Sequence, residues 1–354
     1  MMFLSGAIAL PCGAVETWEK LDKRIKGQIF DLTVGVKLRL RDGLWANLAD
    51  LSPKGHYPVF STGEDKGFKV ISFGTSFPIH TNLHDKTYFL TSGHVVANDQ
   101  ITEYNLECDR FFAATKMYAE QKGNGNPDAK YKELLQIINL STKNPLQGPE
   151  RQLYETTVDA IWDTYDNFLS RRADPGRVMF GKYSAQAPVE HSIAYFLHAP
   201  GPVSQKTLEP RIYKAAKSDN EPDLAVLTVP ITNLTCMEFD TVPPEEGQEI
   251  QVIGYPTASD LIDKDSSDYF APTFSSGRIS RVAPRLLQVD APITNGSSGS
   301  PVVSLRGKVL GVVAVRAIVH KTELPNFGGA VTIQSVQSFA PELFGKPGAG
   351  GGTR

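Results

Sequence analysis

The stretch Val289-Asp290-Ala291-Pro292-Ile293-Thr294-Asn295-Gly296-Ser297-Ser298-Gly299-Ser300-Pro301, running on as VVSLRGKVLGVVAV to Val315, decides how the whole chain is read. Two short runs rich in valine, SPVVSL and KVLGVVAV, flank Arg306-Gly307, and this is the pattern of two strands joined by a turn. The segment before them is a turn rich in glycine and serine. Such turns are common between strands. This one also has what a nucleophilic serine needs: a tight turn that exposes a hydroxyl, and backbone N–H groups that can converge on a developing oxyanion. Gly296 and Gly299 permit the unusual backbone angles of such a turn.

The strand texture extends in both directions. Upstream come SIAYFL, RIYKAA, DLAVLTV, EIQVIGY, TFSSGRISRV and RLLQVDA, each bounded by turn residues. Earlier still, FKVISF at 68–73 and TYFLTSGHVV at 87–96 read the same way. Many short strands at even spacing imply a sandwich or a barrel. Between Ala97 and about Pro188 the period changes. Tyr104, Cys108, Phe111, Thr115 and Tyr118 recur at helical spacing, as do Tyr131, Leu134, Leu135 and Ile138. Tyr154, Val158, Ile161, Tyr165 and Phe168 form a third stripe, with Pro149 suited to the first turn and Arg171 and Arg172 to the C-terminal end. Three helices are therefore expected in 98–188. A short helix is expected from SVQSFAPELF, and a flexible tail from the Gly-rich end, 341–354.

Composition narrows the class. With 36 Lys and Arg against 39 Asp and Glu, the chain carries a formal charge of −3, which argues against a nucleic-acid binder. The 30 glycines and 24 prolines suit a turn-rich β chain. Three scattered cysteines, Cys12, Cys108 and Cys236, are neither a disulfide framework nor a zinc signature and read as unpaired thiols. Met1 to Ala14 is apolar like a short secretory leader, yet no Lys or Arg precedes the apolar run, so secreted or periplasmic and cytoplasmic placements stay equally open. No stretch approaches the roughly 20 apolar residues of a membrane span.

A serine at neutral pH needs a base, and His94 in TSGHVV follows an apolar strand end. An imidazole acting as base must be held in one tautomer by an acceptor on its other nitrogen. Asp223, just before the apolar LAVLTV, is the candidate. Each residue alone has an ordinary structural reading, as a surface histidine or a turn aspartate. Together they stand in the order His, Asp, Ser, each at a strand boundary, as in the chymotrypsin-type triad.

On these segments the chain resembles the trypsin-like serine peptidases, and within them the HtrA/Deg-like branch. TSGHVV resembles the family's catalytic-histidine motif, SDNEPDLAVLTV its aspartate strand, and VDAPITNGSSGSPVVSLRGKVLGVVAV its serine loop and following hairpin. VIGYP with SSGRISRV, and GGAVTIQSVQSFAPEL, resemble the strand pair between Asp and Ser and the closing strand with its helix. The resemblance covers about 68–97 and 189–340, the protease domain only, so the chaperone–protease role of longer members is not carried over. It implies a mostly β fold: two antiparallel six-stranded barrels with a helical insertion. The expected organisation is an N-terminal segment at 1–27, a protease domain made of 28–97 and 189–340, the insertion at 98–188, and the tail.

The resemblance further implies peptide-bond hydrolysis by His94, Asp223 and Ser298. Gly296, Ser297 and Ser298 would form the oxyanion hole, with the N–H groups of Gly296 and Ser298 as its donors. Ile293 and the strand Val313, Ala314, Val315 and Ala317 would line an apolar primary pocket that prefers small or aliphatic P1 residues, with Val313 and Val315 pairing with the substrate strand. Three departures stand out. The connection from His94 to Asp223 is much longer than usual. Ser300 replaces a glycine, with little effect expected on the turn. Ser297 replaces an Asn or Asp, so activation by a new N-terminal ammonium is not expected. A polypeptide substrate is expected, and no cofactor or metal: HTNLH at 80–84 lacks the glutamate of a zinc protease, and GNGNPD lacks the Lys-Ser/Thr of a phosphate loop. The competing readings are a silent protease-like binding module that uses the helices, and an esterase on the same triad.

Overall fold

The computed structural model describes residues 17–97, 99–143, 145–170, 189–201, 207–217, 220–256, 271–319 and 322–345. The leader-like Met1 to Ala14, Cys12, Arg171, Arg172 and the end of the tail lie outside the described residues. In chain order the elements are α1 (Trp18–Ile25), β1 (Phe30–Leu40), β2 (Trp45–Leu51), β3 (Pro58–Gly63), β4 (Lys69–Ile79), β5 (Thr87–Thr91) and α2 (Gly93–Val96). Next come α3 (Asp99–Lys122), α4 (Pro127–Ile138), α5 (Gly148–Ser170), β6 (Val189–His198), β7 (Thr207–Leu208), β8 (Arg211–Ala215), β9 (Ala225–Val229) and β10 (Glu249–Gly254). The last are β11 (Thr273–Val282), β12 (Leu286–Val289), β13 (Pro301–Ser304), β14 (Val309–Val319), β15 (Thr322–Thr332) and α6 (Ile333–Phe339).

The chain divides into two compact units. The first comprises Met1–Thr33, Phe73–Ala97 and Tyr195–Arg354, and the second Val34–Ser72 and Asn98–Ala194.

The first unit holds a closed barrel of β10, β11, β12, β15, β14 and β13 in that order. Alternation along these strands sends one set of side chains inward. Ile250 and Val252 of β10, Ile279, Leu287, Val289, Val302, Leu310, Val313 and Ala330 form its buried core. Each of the valine, leucine and isoleucine side chains contributes about 2 kcal/mol of transfer free energy. In the same unit β4, β5, β9 and β8 are successive neighbours in a large second sheet, with Phe77 opposite Leu90 and Leu90 opposite Val226. The fold is thus mostly β with helices added, as expected. Within this unit one barrel is closed, and β4, β5, β9 and β8 form an open sheet. Hairpin pairing can keep adding strands at an open edge, whereas closure demands matched tilt and stagger. Helix α1 packs on this unit through Leu21 and Ile25, four apart on one face and fully buried, while Glu19 and Lys23 pair on the outside.

The second unit carries α3, α4 and α5. Most of each stripe read from the sequence is buried: Cys108, Phe111 and Thr115 on α3, Leu134, Leu135 and Ile138 on α4, and Tyr154, Val158, Ile161 and Tyr165 on α5, while Tyr104, Tyr118, Tyr131 and Phe168 are half-buried. Helix α4 begins as GNGNPD predicts for a turn into a helix: the Asn126 side chain accepts from the Ala129 N–H, and Pro127 takes the first position. Around β3, Phe60 lies 5.9 Å from Phe111, and Tyr57 stacks on Trp162 at 4.1 Å. These aromatic contacts give the helical stripes something to bury against.

Candidate active site

The pairing of β5 with β9 brings the first two candidates together. The strands run antiparallel with Thr91 opposite Ala225. Residues just after Thr91 therefore lie beside residues just before Ala225, and these contain His94 and Asp223. His94 sits in the single helical turn α2, begun at Ser92 and closed by the Ala97 N–H on the Gly93 carbonyl.

The geometry is continuous. The His94 N–H donates to Asp223 Oδ1 at 2.8 Å, and His94 Nδ1 lies 2.5 Å from Asp223 Oδ2. One carboxylate thus holds the histidine by both backbone and ring. His94 Nε2 lies 2.9 Å from Ser298 Oγ. The imidazole side chain is 45% exposed, while Ser298 is 7% exposed. The base is open to solvent and the hydroxyl is recessed. A Cβ at Gly93 would lie 2.8 Å from Asp223 Oδ1, so the carboxylate's approach depends on a residue without a side chain there.

The turn bearing Ser298 is held almost entirely by backbone hydrogen bonds. Gly296 and Gly299 have φ of +86° and +87°, in the left-handed region that favours glycine. The Ser297 N–H donates to the Thr294 carbonyl, the Ser300 N–H to the Ser297 carbonyl, and the Gly299 N–H to the Val313 carbonyl. Among the described residues, the N–H groups of Gly296 and Ser298 have no acceptor within the chain. These two are the amides the sequence singled out. Ser297 corrects an expectation: its amide is committed inside the turn and is not free to join the oxyanion hole. Its buried side chain accepts from the Thr294 N–H at 3.2 Å, which ties down the position where the resemblance implies an Asn or Asp.

The expected specificity residues divide. Ile293 packs against the barrel core and leaves no room for a Cβ on Gly328. Val313 corrects an expectation. Its side chain is buried in the barrel, its N–H donates to the Ser300 carbonyl, and its carbonyl takes both the Gly299 N–H and the Ser92 hydroxyl. No group on Val313 is left to pair with a substrate strand. Ala314, in the register shift between Val313 and Val315, stands outside the ladder to β15. A bulge of this kind re-aims backbone groups. Val315 lies opposite Gly329 in β15, and the side chains of Val315 and Ala317 lie outside the described residues.

Ser300 is fully buried and its hydroxyl has no partner among the described residues. Sequence reasoning missed Thr75 and Ser92, both fully buried beside the turn; a hydroxyl at the end of an apolar strand carries no signal of its own. Cys108 and Cys236 are unpaired, and burial raises both thiols above their ordinary pKa, away from nucleophilic use. Among the described residues no group of three or more His, Cys, Asp or Glu could hold a metal ion, and no helix is long and apolar enough to cross a membrane.

The trypsin-like peptidase domain family matches residues 199–312, which takes in Asp223 and Ser298. A Synechocystis protein named as the serine protease HhoB is 32% identical over 141 residues, 36% of this chain and 30% of HhoB, so the chain spans under a third of that relative. Among solved structures, the active form of the Rv3671c protease from M. tuberculosis has 14% identity and a TM-score of 0.43, with 99% of this chain and 97% of that one covered. The serine endoprotease from Yersinia pestis has 13% identity and a TM-score of 0.44, over 92% of this chain and 66% of that one. Residues 199–312 of this chain thus match the trypsin-like peptidase domain family.

Proposed function

We propose that the chain is a serine endopeptidase in which Ser298 attacks the scissile carbonyl, His94 takes and returns the proton, and Asp223 fixes and stabilises the imidazolium. The observation that carries this reading is the unbroken line from Asp223 Oδ2 through both ring nitrogens of His94 to Ser298 Oγ, at 2.5 and 2.9 Å. An activated serine needs a base in hydrogen-bond reach, and that base needs an orienting acceptor.

In the first half-reaction the Ser298 proton passes to His94 Nε2 as Oγ bonds to the carbonyl carbon. The Nδ1–H stays on the Asp223 carboxylate, whose charge offsets that of the imidazolium. The oxyanion is received by the free N–H groups of Gly296 and Ser298. Collapse expels the amine, which takes the proton from His94. Water then enters on the acyl-enzyme with the same residues in reversed roles.

Substrate pairing falls to the unladdered Ala314 rather than to Val313, and Ile293, packed on the barrel core, supplies an apolar wall. With no acid among these residues, Ala or Val at P1 is preferred over Lys or Arg. The helices of 98–188 are an insertion in the peptidase chain.

The test is covalent labelling by a fluorophosphonate probe. Wild type labels and Ser298→Ala does not if the reading holds. Absence of labelling in wild type would sink it. Tripeptide p-nitroanilides that differ only at P1 test the pocket, with Ala and Val expected to be cleaved and Lys left intact.

A further inference from the structure

The backbone of the nucleophile turn is gripped from outside by the side chain of Thr75 on β4. Thr75 is fully buried. Its hydroxyl donates to the Gly296 carbonyl at 2.9 Å and accepts the Tyr255 N–H at 2.9 Å. Its own N–H donates to the Ser298 carbonyl at 2.8 Å, and its carbonyl accepts the Thr91 hydroxyl at 2.8 Å. One residue thus ties the turn at Gly296 and Ser298, the residues whose amides are free, to the end of β5 that leads to His94.

The Gly296 carbonyl matters because its residue is left-handed and has no side chain to restrain it. With φ at +86°, little but hydrogen bonding fixes the plane of the 296–297 peptide. Inside the turn, Ser297 supplies bonds at its own amide and hydroxyl, both to Thr294. The Thr75 hydroxyl is the group that fixes the carbonyl at 296.

We propose that Thr75 is a positioning residue of the oxyanion loop, its hydroxyl holding the Gly296 carbonyl so that the Gly296 and Ser298 amides point together at the substrate oxygen. The inference rests on the peptidase reading above. Donors aimed in advance at the developing charge act without reorganisation, and losing that aim costs the chemical step more than binding.

The experiment is saturation kinetics of fluorophosphonate labelling, which separates the inactivation rate from the probe's binding constant, on wild type, Thr75→Val, Thr75→Ala and Thr75→Ser. Thermal midpoints are measured alongside. The expected result is an inactivation rate lower by about tenfold or more in Thr75→Val, with probe binding changed less than about twofold. Thr75→Ser, which keeps the hydroxyl, should recover most of the rate. If Thr75→Val does not fold, Thr75→Ala against Thr75→Ser makes the same comparison, since both lose the methyl and only one loses the hydroxyl. Equal rates in variants with and without the hydroxyl overturn the proposal. So does a rate loss that follows thermal stability, with Thr75→Ser falling as far as Thr75→Ala. If wild type itself does not label, the peptidase reading fails first, and the Thr75 proposal falls with it.

Discussion

Two His–Asp pairs among the described residues are built differently. In the first unit, His94 Nδ1 is 2.5 Å from Asp223 Oδ2, the carboxylate's other oxygen takes the His94 N–H, and Ser298 waits on the far ring nitrogen. In the second unit, His191 Nε2 is 3.4 Å from Asp109 Oδ2, and Asp109 Oδ1 has no partner among the described residues. Residue types are the same, and the wiring is not. A histidine beside a carboxylate is common protein architecture. It becomes a candidate for proton transfer when the carboxylate is fixed at both oxygens and the other nitrogen faces a hydroxyl.

That contrast can be broken or sharpened by mutation. The largest effect is expected at the end of the first line: Ser298→Ala should abolish probe labelling and lower peptide turnover by about a millionfold. Asp223→Asn should lower turnover by about ten-thousandfold, because an amide on Nδ1 favours the wrong tautomer. The matching Asp109→Asn should leave the labelling rate within about twofold of wild type. A comparable loss at Asp109 would erase the distinction between the pairs. Gly93→Ala should be intermediate, slowing labelling by roughly tenfold to a hundredfold. Its Cβ would crowd Asp223 Oδ1 at 2.8 Å and disturb the carboxylate without removing it. The smallest effect is expected at Ser300. Removing a buried hydroxyl that has no partner relieves a desolvation cost, so Ser300→Ala should raise stability by up to about 1 kcal/mol, read as a higher denaturation midpoint.

The helical region offers another contrast with the serine turn. In α3 to α5 most of each sequence stripe is buried, because a helix of period 3.6 makes its own face and any apolar partner can cover it, while the wider buried surface also takes in Phe112 and Trp162. Around Ser298 the local pattern goes only as far as the turn. The glycines at 296 and 299 are legible, since their positive φ is a local backbone demand. The commitment of Val313 is not legible. A valine in a strand reads the same whether its backbone is open to a substrate or already shared with Ser300, Gly299 and Ser92. Nor is the part played by Thr75, whose partners Gly296 and Tyr255 are 221 and 180 residues away along the chain.

By itself, then, the sequence determined what is encoded locally: the β texture, the three helical stripes, the glycine-bearing serine turn, and the strand-boundary positions of His94, Asp223 and Ser298. The tertiary structure decided which of these meet. The Thr91–Ala225 register carries His94 to Asp223, the Ala314 bulge leaves a stretch of β14 outside the ladder, and the Thr75 hydroxyl reaches the Gly296 carbonyl. The physical reason is range. Periodicity and turn chemistry act over a few residues, while register and hydrogen-bond partnership between distant strands are settled only when the whole core packs.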